Sequence, residues 1–374
     1  MELNFSLRHF NLEQDLMKNH CLFLCFCLFL VCESKAQIGS NIDSLASSYL
    51  ESEFAKAISI AILNKDEISY HNYGKISTEN PVVPTKNSIY EIGSISKAVT
   101  STLLQQLISE NKLSLDDNMC DYMPEGSCQW TEEKKITIRE LATHTSGIPR
   151  LPYSFFSNVK DMNRPYENHR EEDLVRFLKS YDPAPIEDRV YEYSNYGMMI
   201  LGYIMEQVEE KSYEMIMLER LLKPLKMHRT FVMGNEDIHA KIIQGHSSNG
   251  KETPVWDMPT FPGHGGIRST TSDMMKFMQY VLNDPIASKA TNKQIQIEEQ
   301  KWIGLGWHIF NYEFTEKLIV LHNGQTGGYT AFAGFIEGSE SAVVVLCNNS
   351  GLEDKPSACD LLGLEILDLL SKSL

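Results

Sequence analysis

Strand-like segments lie near both ends of the chain, while the long middle part carries mainly helical periodicity. Residues 57–63 and 67–73 are separated by Asn64-Lys65-Asp66, a composition typical of a hairpin turn. Four more strand-like segments follow in the last third of the chain, at 304–310, 317–322, 330–336 and 341–346. Strands at both ends with helices between them imply one sheet built from both termini. The pattern predicts an α/β (α+β) fold with an antiparallel sheet, flanking helices and a large, mainly helical insertion.

Helical periodicity marks the segments that surround and interrupt the predicted sheet. Apolar residues recur at helical spacing in 42–50, 94–109, 198–208, 215–222 and 358–370. The chain has 374 residues, which is too many for one minimal core. We therefore predict a sheet domain made of residues 37–125 and 265–374, and a helical insertion domain made of residues 126–264.

The N-terminal residues 1–36 have the pattern of a secretory signal peptide. The uncharged run Cys21–Cys32 follows Lys18 and precedes Ser34-Lys35-Ala36, so basic, apolar and small residues occur in the expected order. This run is too short to cross a bilayer, for which about 20 residues are needed. The sequence predicts an exported protein, periplasmic or secreted, with no stable membrane span after cleavage. Translation from Met1 and translation from Met17 both fit the pattern.

Charge and cysteine usage exclude some classes of function. The formal net charge of −16 disfavours nucleic acid as a partner, because phosphate binding needs a positive surface. No Cys-x-x-Cys pair occurs, so a zinc site of that type is not expected. Cys120 and Cys128 are close enough in sequence to form a disulfide in an exported protein. Cys347 and Cys359 are expected to be buried and inert.

A Ser-x-x-Lys motif at Ser94 is the main candidate for chemistry. The motif also occurs at Ser109, Ser157 and Ser248, but only Ser94 follows a strand-like segment and a glycine and opens an apolar helix. A hydroxyl at a helix N-terminus meets free backbone N–H groups that favour developing negative charge. Lys97 lies on the same face, where burial would lower its pKa and let it accept the serine proton. The alternative is a capping serine and a solvated lysine.

Two further motifs lie beyond Ser94 and favour the catalytic interpretation. Tyr193-Ser194-Asn195 runs directly into an apolar helix. His322-Asn323-Gly324 ends a strand and precedes Gly327-Gly328, where the backbone can approach a ligand closely. The sequence contains neither a Gly-x-Ser-x-Gly nucleophile elbow nor a His-Glu-x-x-His metal motif.

With these three motifs in this order, the sequence resembles the serine β-lactamase and penicillin-binding-protein superfamily, in particular its class C-like and esterase/D-peptidase branch. The connecting stretches 136–148 and 265–273 look similar as well, and the resemblance covers about residues 40–370. We expect structural roles for His144 and His264, which lie within or next to these stretches.

The resemblance implies a catalytic role for each residue of the first two motifs. Ser94 would attack an acyl carbon and form an acyl-enzyme, while Lys97 and Tyr193 exchange its proton. Asn195 would hold Lys97 and a substrate amide. The reaction would need no metal and no cofactor, and the partner would be a small-molecule or peptide substrate. The oligomeric state stays open.

The third motif departs from the β-lactamase pattern, because His322 stands where lysine is usual. The resemblance implies that His322 and Gly324 contact the substrate, and that the backbone N–H of Gln325 completes an oxyanion hole with that of Ser94. Histidine has an unperturbed pKa near 6.5 and is mostly neutral at pH 7, so it is a weaker partner for a substrate carboxylate. We therefore expect hydrolysis of a D-amino-acid peptide or small acyl ester. A class C-like β-lactamase and a catalytically silent binding module are the alternatives.

Overall fold

A computed structural model describes residues 39–51, 56–77, 81–352 and 355–372. The predicted signal peptide, residues 1–36, lies outside the described residues. The chain divides into two compact units, 1–48 and 49–374. In the first unit the described residues are helical. The predicted division into a sheet domain and a helical insertion domain stays a prediction.

The strands all belong to the second unit. In chain order they are β1 (Ala57–Asn64), β2 (Glu67–Gly74), β3 (Tyr90–Glu91), β4 (Gly245–His246), β5 (Glu252–Thr253), β6 (Arg268–Ser269), β7 (Ile295–Glu298), β8 (Lys301–Ile303), β9 (His308–Asn311), β10 (Leu318–Gln325), β11 (Thr330–Ile336) and β12 (Ser341–Cys347). Eight of these described strands form one antiparallel sheet, in the order β2-β1-β12-β11-β10-β9-β8-β7. Because β1 pairs with β12, the sheet is built from both chain ends, which confirms the predicted fold class.

Helices precede, interrupt and follow the sheet strands. The described helices are α1 (residues 39–51), α2 (Ser96–Ser109), α3 (Ile138–Ala142), α4 (Tyr153–Phe156), α5 (Glu171–Ser180), α6 (Asn195–Glu209), α7 (Tyr213–Met217), α8 (Glu236–His239), α9 (Thr271–Asn283) and α10 (Ala358–Ser371). A 3₁₀ turn, Gly93–Ile95, leads into α2, and a π-helical turn, Leu218–Leu222, continues α7. None of the described helices is both long and apolar enough to cross a membrane.

Some strands differ from the sequence prediction. The predicted strand 304–310 begins only at His308, because the preceding segment turns through Gly306 at a φ of +63°. The edge strand β7 and its neighbour β8 were not predicted, since most of their residues are polar or only partly buried. The paired two-residue strands β3–β6 and β4–β5 are too short to leave a periodic signal.

The central strands are covered on both faces. Every residue of β11 and β12 is buried. On one face, Phe332 packs so closely against α10 that a side chain at Gly363 would overlap its ring. On the other face, the ring centroid of Phe335 lies 6.0 Å from that of Trp307, which stacks on Phe277 of α9. Residues 332 and 335 point to opposite faces because side chains alternate along a strand.

The four cysteines beyond the predicted signal peptide form two pairs. Cys120 and Cys128 are joined by a disulfide. Cys347 and Cys359 are buried thiols, as expected from the sequence.

Candidate active site

Ser94 lies at the junction between the small strand β3 and helix α2. It is the middle residue of the 3₁₀ turn, and Gly93 before it adopts a φ of +49°. A β-carbon at Gly93 would come within 2.8 Å of the backbone nitrogen of Gln325, the last residue of β10. Gly324 is equally constrained, because a β-carbon there would lie 3.0 Å from the Ser94 nitrogen and overlap the Ile92 carbonyl. Glycine at both positions lets β10 reach the serine turn.

The backbone nitrogens of Ser94 and Gln325 therefore both lie at the contact between the serine turn and β10. Gln325 pairs with Thr330 in the β10–β11 ladder, which fixes its backbone at the end of the strand. An oxyanion hole needs two such backbone N–H groups close together. The third motif thus meets the first at the position where the resemblance implies an oxyanion hole.

Lys97 is fully buried in the first turn of α2. Its Nζ donates a 2.9 Å hydrogen bond to Ser94 Oγ and a 2.6 Å hydrogen bond to the backbone carbonyl of His264. Within the part of the chain that the structure describes, it forms no ion pair. Burial, followed by the positive charge of Arg150, holds the pKa of Lys97 well below its usual value. The neutral amine of such a lysine can accept a proton from the hydroxyl it contacts.

Tyr193 lies beside both of these residues. The Nζ of Lys97 is 4.9 Å from the centroid of the Tyr193 ring. Burial raises the pKa of Tyr193 above its usual value, while a hydrogen bond with Ser94 and the charge of Arg150 act in the opposite direction. The following residue, Ser194, caps α6 by accepting a hydrogen bond from the Gly197 N–H. The cap fixes the backbone from which the tyrosine projects.

Asn195, the first residue of α6, lines the same cleft but does not hold Lys97. Its side chain has a hydrogen bond with Tyr166, and among the described atoms its buried Oδ1 has no partner. The expected contact with Lys97 is therefore wrong for this structure, because the carbonyl of His264 accepts that hydrogen bond instead. Asn195 is among the residues that line the cleft, and an amide oxygen without a partner can accept a hydrogen bond.

His322 is buried on β10 and carries no charge at neutral pH. Burial, followed by the electrostatic influence of the neighbouring His308 and Lys97, lowers the pKa of His322 well below its usual value. Its Nδ1 lies 2.6 Å from the Asn323 carbonyl oxygen, so that nitrogen carries the proton. Its Nε2 is buried without a partner in the described structure and can act as an acceptor. The third motif therefore offers a neutral imidazole in place of a lysine cation.

His308 is a site residue that the sequence interpretation missed. Its Nε2 lies 3.0 Å from the Tyr191 hydroxyl, and its ring centroid is 5.2 Å from that of His322 and 6.2 Å from that of Tyr193. Burial and the charge of Lys97 lower the pKa of His308 to about 4. Its position on a predicted strand next to the third motif was the only available signal.

His144 and His264 both lie next to catalytic candidates, His144 through its ring and His264 through its backbone carbonyl. His144 has a left-handed backbone, accepts the Ser194 N–H at Nδ1 over 3.2 Å, and places its ring centroid 4.6 Å from that of Tyr193. The Nδ1 of His264 lies 2.9 Å from the Phe261 carbonyl oxygen, and its own carbonyl accepts from Lys97. Both residues thus support the geometry around Ser94, His144 with its side chain and His264 with its backbone carbonyl.

A cleft of about 1110 Å³ opens above Ser94. Aromatic side chains form much of its wall, namely Tyr166, Trp256, Phe310, Tyr312 and Phe332. Arg150 adds a cation that the sequence interpretation also missed, with its guanidinium carbon 5.3 Å from the Tyr193 ring centroid. Across the described residues, no group of three or more His, Cys, Asp or Glu side chains is placed to hold a metal ion.

Comparison with known proteins agrees with this arrangement. The family model described as Beta-lactamase matches residues 42–367. The chain therefore belongs to the β-lactamase family and is a serine hydrolase. The match covers the Ser-x-x-Lys, Tyr-x-Asn and His-x-Gly motifs together.

Individual relatives are distant in sequence and close in fold. A β-lactamase of Pseudomonas fluorescens is 22% identical over 83% of this chain and 93% of that protein. Penicillin-binding protein 4 of Amycolatopsis lactamdurans is 27% identical over 72% of this chain and 74% of that protein. The structure of a β-lactamase/D-alanine carboxypeptidase from Yersinia pestis, complexed with citrate, superposes with a TM-score of 0.79. It is 20% identical and the superposition covers 90% of this chain and 99% of that one, which shows a shared fold.

Proposed function

We propose that this serine hydrolase cleaves an ester or amide bond through an acyl-enzyme on Ser94. The observation that carries the proposal is the buried Lys97, which donates to Ser94 Oγ over 2.9 Å and forms no described ion pair. Burial without a counter-charge favours the neutral amine, and a neutral amine in contact with the hydroxyl can take its proton.

The proposed reaction has two steps. In the first, Lys97 removes the Ser94 proton while Oγ attacks the carbonyl carbon, and the backbone N–H groups of Ser94 and Gln325 receive the developing oxyanion. Tyr193 gives its proton to the leaving group as the ester or amide bond breaks and takes the serine proton from Lys97, which becomes neutral again. In the second step, water attacks the acyl-enzyme, its proton returns through the same residues, and Ser94 is released.

A catalytically silent binding module on the same fold is the weaker candidate. Burial of a lysine without a counter-charge costs stability, because the side chain must lose either its hydration or its proton. Lys97 is fully buried and its pKa is lowered, so this fold carries that cost. A binding protein gains nothing from such a group next to a serine hydroxyl, whereas a hydrolase gains a base.

We propose a D-amino-acid peptide or a small acyl ester as the substrate. The neutral His322 supports this choice, since it offers no cation to the carboxylate that β-lactams carry. The cleft is large enough for a short peptide, and its aromatic wall favours apolar acyl groups. A class C-like β-lactamase is the second candidate, because Arg150 also lines the cleft and offers a cation to the carboxylate of a β-lactam.

We also propose that the protein is exported. The basic, apolar and small-residue pattern of residues 1–36 supports cleavage after Ala36. N-terminal sequencing of the protein recovered from the periplasm or medium should find Gln37 first. Recovery of an uncleaved chain from the cytoplasm alone would contradict export.

Hydrolysis of a substrate panel by two matched serine variants tests the proposed function. The panel consists of β-lactams, D-Ala-D-Ala peptides and short acyl esters. Ser94→Ala should lose all turnover, whereas Ser109→Ala, which alters an exposed Ser-x-x-Lys serine on the same helix, should match wild type. Turnover of peptides or esters supports the leading candidate. Preferential turnover of cephalosporins supports the second, and tight binding without any turnover supports the silent module.

A further inference from the structure

Two buried thiols, those of Cys347 and Cys359, touch each other away from the serine. Cys347 ends β12 and Cys359 is the second residue of α10. Their sulfur atoms are 2.7 Å apart, and both side chains are fully buried. Non-bonded heavy atoms prefer a separation of about 3.5–4.0 Å, so this contact is shorter than packing alone produces.

The surroundings of the pair hold it in place. The Cys359 thiol lies 3.2 Å from the Thr330 carbonyl oxygen, and the Thr330 hydroxyl lies 3.5 Å from the same sulfur. Thr330 is itself paired with Cys347 across the β11–β12 ladder. The backbone of both cysteines is therefore fixed, by a sheet strand at Cys347 and by the first turn of a helix at Cys359.

We propose that Cys347 and Cys359 are joined by a disulfide in the native protein, in addition to the bond between Cys120 and Cys128. The two thiols lose two protons and two electrons, and one S–S bond forms between their sulfurs. The oxidant is a disulfide, either oxidised glutathione or the disulfide of a thiol oxidoreductase, which is reduced to two thiols. An exported protein folds in a compartment that supplies such oxidants.

The bond forms before α10 packs onto the sheet. Burial raises the pKa of the Cys359 thiol well above its usual value, so the folded protein holds almost none of the thiolate that attacks a disulfide. Access for an oxidant is also closed, because neither sulfur is exposed. A structural disulfide made during folding fits both facts, whereas a redox switch of the folded enzyme does not.

The bond would fasten one wall of the cleft. Asp360, next to Cys359, accepts a 2.9 Å hydrogen bond from the Asn323 side chain, which lies between His322 and Gly324 of the third motif. Asp360 and Leu364 of α10 both line the cleft. A covalent link from Cys359 to β12 would hold this end of α10 against the sheet that carries the motif.

Peptide mapping of refolded protein tests the proposal. The mature chain, which begins at Gln37, is reduced, unfolded, refolded in a mixture of reduced and oxidised glutathione, and then treated with N-ethylmaleimide in denaturant. Trypsin leaves both cysteines in one peptide, because Lys355 precedes Pro356, so a protease that cuts before aspartate is used. This protease separates the peptide that contains Cys347 from the hexapeptide Asp354–Cys359.

We expect mass spectrometry to find the Cys347 peptide and this hexapeptide linked. N-ethylmaleimide on both Cys347 and Cys359 would overturn the proposal.

A single-cysteine variant provides the control. Cys359→Ala should carry N-ethylmaleimide on Cys347 while Cys120 and Cys128 stay linked. If Cys347 were instead linked to another cysteine in that variant and in wild type, the assigned pair would be wrong. The wild-type map decides the question even if the variant does not fold.

Discussion

The Nζ of Lys97 donates a 2.9 Å hydrogen bond to the Ser94 hydroxyl, and its second hydrogen bond goes to the backbone carbonyl of His264 and not to a carboxylate. A carboxylate in that place would stabilise the charged lysine and raise its pKa. A carbonyl provides a weaker field and still fixes the position of the nitrogen. The pair is therefore arranged for proton transfer from serine to lysine.

Loss of the Lys97 amine should slow acylation by about 10²–10⁴-fold. Burial and the charge of Arg150 lower the pKa of Lys97, so the neutral base becomes more populated, and acylation faster, as pH rises through that pKa. Labelling rates with a fluorophosphonate between pH 5 and 9 measure the effect. Lys97→Ala should lose both rate and pH dependence, and Lys97→Arg, which stays protonated, should be equally slow. A wild-type rate and profile in Lys97→Ala would remove this residue from the mechanism.

Acid should destabilise the fold partly through His264. Burial, followed by the charge of Lys97, lowers the pKa of His264 to about 3. The unfolded chain binds a proton at this residue near pH 6.5 and the folded chain does not, so stability is present above that pH and lost as pH falls below it. The loss is about 1.4 kcal/mol per pH unit for one such group. Urea unfolding measures the free energy of unfolding between pH 6 and 4.5, and the slope of that free energy against pH should be smaller by this amount in His264→Gln than in wild type. The exposed His228, changed to Gln, is the control and should leave the slope unaltered.

A lysine at position 322 should favour β-lactams over neutral esters. A charge-assisted hydrogen bond to a carboxylate contributes roughly 1.5–3 kcal/mol, so the ratio of β-lactam to ester turnover should rise about 10- to 100-fold in His322→Lys. His322→Gln, which stays neutral, should leave the ratio unchanged. Because the pKa of His322 is so low, the wild-type ratio should also stay constant from pH 7.5 to 5.5. Efficient cephalosporin hydrolysis by wild type at neutral pH would show that the carboxylate is bound elsewhere.

Arg150 should select substrates by charge. Its guanidinium lies over Tyr193 at the edge of the cleft and makes no hydrogen bond or ion pair with another described residue. Arg150→Gln should lower kcat/KM for an acyl ester that carries a carboxylate by about 10-fold or more relative to the same ester without it. Arg150→Lys should retain part of the preference. An equal loss on both esters would instead indicate that Arg150 acts through Tyr193.

The order of the motifs and the ends of the sheet could be read from the sequence because both leave local signals. Apolar strands such as β11 and β12 and the helix that follows Ser94 are periodic over several residues. The position of Arg150 in the cleft could not be predicted from the sequence, since it depends on how a loop of the middle segment packs against Tyr193. The same is true of His308, whose partner Tyr191 is far away along the chain. The second partner of Lys97 was also missed, because a backbone carbonyl has no sequence signature.

The location of the covalent adduct tests the role of Ser94 as nucleophile most directly. Wild-type protein is treated with a fluorophosphonate or a penicillin-type acylating probe, digested, and analysed by tandem mass spectrometry. We expect one modified serine, Ser94, and no labelling of Ser94→Ala under the same conditions. An adduct on Ser109 or on any other serine, or undiminished labelling of Ser94→Ala, would contradict it.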